Sequence, residues 1–117
     1  MQELEKKLMV IKEACEDKKG FDYKALNIGK LTPIADYFIV VSGNSSNQVM
    51  SISDEIDYKM SDIGYSEVIK EGYQSGRWIL MDYGDIIVHV FHKEEREFYN
   101  LERLWSDSEE REALDQE

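Results

Sequence analysis

The chain has 117 residues, with 25 acidic against 14 basic side chains and a formal net charge of −11, a length that suits one domain. With 42% hydrophobic and 11% aromatic residues and a single proline it can bury a sizeable core, which argues against disordered and fibrous architectures. So negative a charge argues against affinity won by neutralising phosphates, and points to basic proteins or small ligands as partners.

No apolar run approaches the roughly 18 residues that span a bilayer; the best are residues 38–41 and 86–90. The first 20 residues carry five acids and five bases spread evenly, unlike the cationic start and apolar stretch of a signal peptide, so the expected location is the cytosol. Cys15 is the only cysteine, which excludes an intrachain disulfide and a cysteine-based zinc site.

Leu4, Leu8, Ile11 and Cys15 recur at steps of three and four with charges between them, predicting an amphipathic helix over residues 2–18 that ends before Gly20. Residues 23–28 read as a short strand, 29–36 with Pro33 as a loop, and 37–42 as a stronger strand broken by Gly43 and Asn44. Ser45 and Gln48 have capping-box spacing, and Val49, Ile52, Ile56, Met60 and Ile63 continue at helical period to Gly64. Strands follow over 65–70, 77–83 and 86–91, the last two joined by a turn around Gly84, and a third helix over 93–105. The order predicts an α/β fold, a mixed, roughly five-stranded sheet packed with three helices, forming one domain over residues 1–105. Residues 106–117, with six acids and one base, read as a solvated acidic tail.

Alternation along the hairpin fixes which side chains share a face. A two-residue loop at either 83–84 or 84–85 pairs even positions with odd ones, so the assignment survives a shift of the turn. One face carries Ile79, Met81, Tyr83, Ile86, Val88 and Val90, an ordinary core face. The other carries Trp78, Leu80, Asp82, Ile87, His89 and Phe91, which mixes large aromatics with an acid and an imidazole. Two readings fit this second face: an interface with an apolar centre, or a sheet covered by a helix, with Asp82 and His89 satisfying each other.

Asp82, Asp85, His89 and His92 are suitable metal ligands by type, yet strand positions three apart point to opposite faces and the acids lie at a turn. No metal is expected. The turn Ser42-Gly43-Asn44-Ser45-Ser46 could hold a phosphate on helix amides. It lacks the glycine spacing of the known phosphate fingerprints, and a plain helix cap uses the same residues. Cys15 sits on a buried stripe, no serine lies in a nucleophile elbow, and Asp54, Glu55 and Asp57 fan around a helix. The residues therefore point to no enzyme, catalytic residue or cofactor, and a nucleotidyl-transferring domain built on the 42–46 turn is the enzymatic alternative.

Three stretches together carry a family resemblance: ADYFIVVSGNSSNQV at 35–49, GRWILMDYGDIIVHVF at 76–91 and EEREFYNLERLW at 94–105. They resemble the ribosomal silencing factor RsfS family, also called Iojap or YbeB, over residues 2–105. Asn47 and Ser106 depart from the pattern, standing where many members have Arg and Gly. The resemblance implies a nucleotidyltransferase-like topology without the enzymatic activity. It also implies binding to ribosomal protein L-fourteen on the large subunit, which blocks joining of the small subunit and lowers translation when nutrients are scarce. An acidic domain would dock on a basic ribosomal protein, with repulsion from RNA disfavouring other placements. The candidate partner-binding residues are Trp78 and Leu80 as the apolar centre, Asp82, Asp85 and Glu95 facing Lys or Arg, and Tyr83 bracing the turn. Large-subunit maturation and a homodimer that pairs the hairpin face with itself are the alternative uses of these residues.

Overall fold

The structure is a computed structural model that describes residues 2–99, and it has the mixed five-stranded sheet and three helices expected from the sequence. Helix α1 (Gln2–Asp17) leads into strands β1 (Phe21–Asn27) and β2 (Tyr37–Gly43), then helix α2 (Ser46–Asp62). Strands β3 (Ile69–Glu71), β4 (Trp78–Asp82) and β5 (Ile86–His92) follow, and helix α3 (Lys93–Tyr99) starts directly after β5. The predicted remainder of the third helix and the acidic tail lie outside the described residues. Among these, no helix is long and apolar enough to cross a membrane.

The strand order is β1-β2-β5-β4-β3. The central pair, β2 and β5, is parallel with Tyr37 opposite Ile86 and Gly43 opposite His92; the outer pairings are antiparallel. Both central strands are buried almost throughout, as parallel strands covered on both faces are. Strand β1 keeps pace with β2 only through an irregularity between Phe21 and Lys24, where Asp22 adopts φ +53°.

Two apolar clusters divide along the sheet's two faces. Ile39, Val41, Ile79, Met81, Ile86, Val88 and Val90 meet Ile11, Ala14 and Cys15 of α1 and Val49, Ile52, Ile56 and Met60 of α2. Leu26, Ile28, Ala35, Phe38, Val40, Ile87 and Phe91 form the second cluster, with Trp78 and Leu80 packed against it. Cys15 lies in the first, where burial, with Glu16 adding to it, pushes its thiol up to about 12; it is a core side chain without thiolate character.

The start and end of α2 show how local chemistry sets the element bounds. Ser45 Oγ accepts from Gln48 N at 3.1 Å, half of the expected capping box. Gln48 closes the other half one residue early, accepting from Asn44 N at 2.6 Å. Its amide also donates to the carbonyls of Lys18 and Lys19, at 3.1 and 2.9 Å, fastening the exit of α1 to the start of α2. At the far end, Tyr65 N donates to Met60 O and Gly64 N to Ser61 O, with Gly64 at φ +97°, a Schellman ending. Residue 65 is thus spent on the cap, so β3 begins at Ile69 rather than at 65 as the sequence reading had it. Because Gln48 holds three backbone groups and Ser45 one, Gln48→Ala should lower stability by about 2 kcal/mol and Ser45→Ala by about 1 kcal/mol, read as shifts in urea midpoint.

Candidate functional site

The hairpin of β4 and β5 turns through Gly84 and Asp85. Tyr83 N donates to Ile86 O at 2.9 Å, and Gly84 has φ +92° while Asp85 does not have positive φ, the type II′ pattern. Trp78 therefore faces Phe91, Leu80 faces His89 and Asp82 faces Ile87, so both face assignments read from the alternation hold. Ile69 of β3 lies opposite Asp82 and extends the second face to the sheet edge, where it is 64% exposed. Within the face, Trp78, Leu80 and Asp82 are half-buried, while Phe38, Ile87, His89 and Phe91 are buried.

His89 is the polar centre of this face. Its ring meets Phe38 edge-on with centroids 4.9 Å apart, and lies nearly parallel to Phe91 at 6.1 Å. Trp78 stacks on Phe91 at 4.9 Å and donates its indole N–H to His89 Nδ1 at 3.1 Å. Of the two readings open for this face, the covered-sheet one had Asp82 and His89 satisfying each other; the structure gives His89 the indole of Trp78 instead. His89 is diagonal to both Trp78 and Asp82 across the strand pair, within reach of long side chains. Asp82 Oδ1 instead accepts from Gly84 N at 2.8 Å, an Asx contact that builds the turn. Burial pushes His89 down to about 4, which keeps the imidazole neutral at pH 7. His89 Nε2 is buried and has no hydrogen-bond partner among the described residues.

The remaining candidate residues occupy different settings. Tyr83 packs on the face covered by α1 and α2, beside the turn it was expected to brace. Asp85 Oδ2 accepts from Lys7 Nζ of α1 at 2.9 Å, with the two side chains 30% and 11% exposed. Its backbone carbonyl accepts from Asp36 N and Tyr37 N, which ties the hairpin turn to the start of β2. Glu95 Oε1 accepts from Arg77 at 3.1 and 2.8 Å, and Glu94 from the same guanidinium at 3.0 Å. The hydrogen bond from Arg77 holds the Glu94 carboxyl below the usual carboxylate range. Trp78, Leu80 and Asp82 thus share one face, Asp85 and Glu95 are held by Lys7 and Arg77, and Tyr83 is on the opposite face.

Sequence reasoning missed the Lys7 and Arg77 contacts. The first joins residues 78 positions apart, and no local period signals such a pairing. It also missed Arg96, which is buried and donates to Ser42 Oγ at 2.9 Å, setting α3 at the end of the second face. Among the described residues neither His92 nor an acid joins His89: β5 runs unbroken through His92, which leaves the two imidazoles on opposite faces. Among the described residues, no three His, Cys, Asp or Glu side chains are grouped to hold a metal ion. At the 42–46 turn, Ser45 and Gln48 take up the N–H groups of Gln48 and Asn44 that a phosphate would need.

The family described as "ribosomal silencing factor during starvation" matches residues 1–117. The chain is 44% identical over 101 residues to the ribosomal silencing factor RsfS of Bacillus subtilis, covering 86% of each. It is similar to a crystal structure of a Chromobacterium violaceum protein, with TM-score 0.84 and 35% identity over 87% of this chain and 85% of that one. A Bacillus halodurans crystal structure matches with TM-score 0.77 and 42% identity, over 90% and 95% of the two chains.

The setting of His89 gives a signed pH dependence. An imidazole of ordinary affinity in the unfolded chain takes up a proton as pH falls through about 6.5, whereas the folded one resists until about 4. Over that window the unfolded state binds more protons, so stability falls on acidification, by up to about 3 kcal/mol from this group. His89→Leu should lack this part of the loss, so the difference between the two proteins' urea midpoints should change from pH 7 to pH 4.5. Parallel curves would remove His89 as the source.

Proposed function

The chain belongs to the ribosomal silencing factor family, and on that premise we propose that it binds the large ribosomal subunit through ribosomal protein L-fourteen and blocks joining of the small subunit by occupying its space. The observation that carries this reading is the hairpin face, where Trp78 and Leu80 stand half-buried beside Asp82 and the exposed Ile69. An aromatic anchor in an apolar patch with a carboxylate at its side has the make-up of an interface hot spot. The net charge of −11 suits a basic partner and disfavours rRNA.

Magnitudes assign the roles. Exposed ion pairs contribute about 0–1 kcal/mol each, so affinity rests on Trp78 and Leu80, while Asp82 orients a Lys or Arg of the partner. Asp85 and Glu95 enter this scheme by sharing their carboxylates between the partner and Lys7 or Arg77, which makes them secondary contributors. Tyr83 acts from behind, by holding the turn. Inhibition on this scheme is steric and stoichiometric; no catalytic step or cofactor enters it, and the protein acts as a binding factor rather than an enzyme.

Purified protein mixed with isolated large and small subunits and run on a gradient should co-sediment with large subunits and reduce the joined fraction. Trp78→Ala should weaken large-subunit binding by about 2 kcal/mol or more, with circular dichroism confirming a folded chain. A folded Trp78→Ala protein that binds like the wild type would remove this face from the mechanism. Failure of the wild type to bind large subunits at micromolar concentration would remove the mechanism itself.

A further inference from the structure

A neutral imidazole offers one donor and one acceptor, and an indole N–H only donates. Because Trp78 donates to Nδ1, the proton of His89 must sit on Nε2, where it has no partner among the described residues. An unsatisfied buried donor is destabilising by about 1–3 kcal/mol. A leucine would fill this apolar site without that penalty, since Phe38, Phe91 and Leu80 surround it. What leucine lacks is the lone pair at Nδ1.

We propose that His89 is a positioning residue: its Nδ1 lone pair fixes the Trp78 indole in the orientation in which that ring is offered to the ribosomal partner. This rests on the reading of Trp78 as the docking anchor and deepens it. A tryptophan side chain that is half-buried at a sheet surface has several rotamers open to it, and immobilising a side chain at an interface costs about 0.5–1.5 kcal/mol. Stacking on Phe91 sets the plane of the ring, and the directional bond at one edge sets its orientation within that plane. The free protein then carries its anchor already set.

The charged groups around the imidazole suit this role. By register, Glu71 of β3 and Lys24 of β1 lie at the two ends of the row that holds Leu80, His89 and Val40. Asp82 of β4 is committed to the turn through Oδ1, and Arg96 of α3 to Ser42. Neither of those two hydrogen bonds goes to the imidazole, which accepts one from Trp78. Protonation would set an N–H at Nδ1 against the indole N–H and break the bond.

The test uses the full chain, isolated large subunits and two variants of residue 89. His89→Asn keeps an oxygen acceptor near the position of Nδ1, and His89→Leu keeps the volume without one. At neutral pH, His89→Leu should bind large subunits about three- to tenfold more weakly, the value of one lost hydrogen bond, and His89→Asn should bind within about twofold of the wild type. Trp78→Phe keeps a ring and removes the donor, so in that background His89→Leu should have no further effect on binding. In nitrogen-15 spectra, the indole resonance that Trp78→Phe deletes should shift on acidification of the wild type and stay constant in His89→Leu.

Wild-type binding by His89→Leu, equal weakening in His89→Leu and His89→Asn, or a full further loss in the Trp78→Phe background would each overturn the proposal. Where His89→Leu fails to fold, Trp78→Phe alone decides: binding as tight as the wild type overturns it. Absence of binding by the wild type overturns the docking reading first. A pH-dependent indole resonance would then leave the His89 bond standing as a purely structural contact.

Discussion

Everything in this fold hangs on the parallel pairing of β2 with β5. The two strands are separated in sequence by a helix and two further strands, so their pairing cannot form from local contacts and must be reached by a crossover. Once made, it sets the parity of every residue in the sheet. Ile39, Val41, Val88 and Val90 point to the face that α1 and α2 cover, and Phe38, Val40, Ile87, His89 and Phe91 to the other. A slip of one residue would exchange the two sets and bring an imidazole under α2. The Asp85 carbonyl, which receives N–H groups from Asp36 and Tyr37, pins this register at its start.

The second face follows from that parity and holds the chemistry of the molecule. It combines aromatic stacking, one hydrogen bond between ring nitrogens and a carboxylate committed to its own turn. The opposite face is apolar by comparison, and its polar exceptions, such as Ser53 of α2, are sealed in. The proposed docking surface thus lies on one side of one sheet, and the helices α1 and α2 cover the other.

Much of this was legible in the residues. The hairpin faces were readable because alternation is insensitive to a one-residue shift of the turn, so Trp78, Leu80 and Asp82 could be grouped before their geometry was known. Helix α2 was readable because Ser45 and Gln48 announce its start. The partner of His89 was not, since parity gives the face but leaves two diagonal neighbours, and the choice depended on Gly84 N–H having already engaged Asp82. The length of β3 was hidden for a related reason: Tyr65 is a strand-forming residue, but the Gly64 cap consumed its N–H. Contacts such as Lys7 with Asp85 and Arg96 with Ser42 are products of the finished topology, and no window of sequence contains both members.

The Lys7–Asp85 pair carries a consequence for how the chain is made. Synthesis runs from the amino end at about 5–20 residues per second, so α1 precedes the strand turn that it is tied to by about 4–16 seconds, given their separation of 78 residues. During that interval the stripe of Leu4, Leu8 and Ile11 can meet β1, β2 and then α2, but the cluster still lacks the β5 half of its floor. The nascent chain thus presents an apolar helix pair over an unfinished sheet until Val88 and Val90 arrive. For a member of the ribosomal silencing factor family, that exposed interval falls while the chain is still attached to a ribosome.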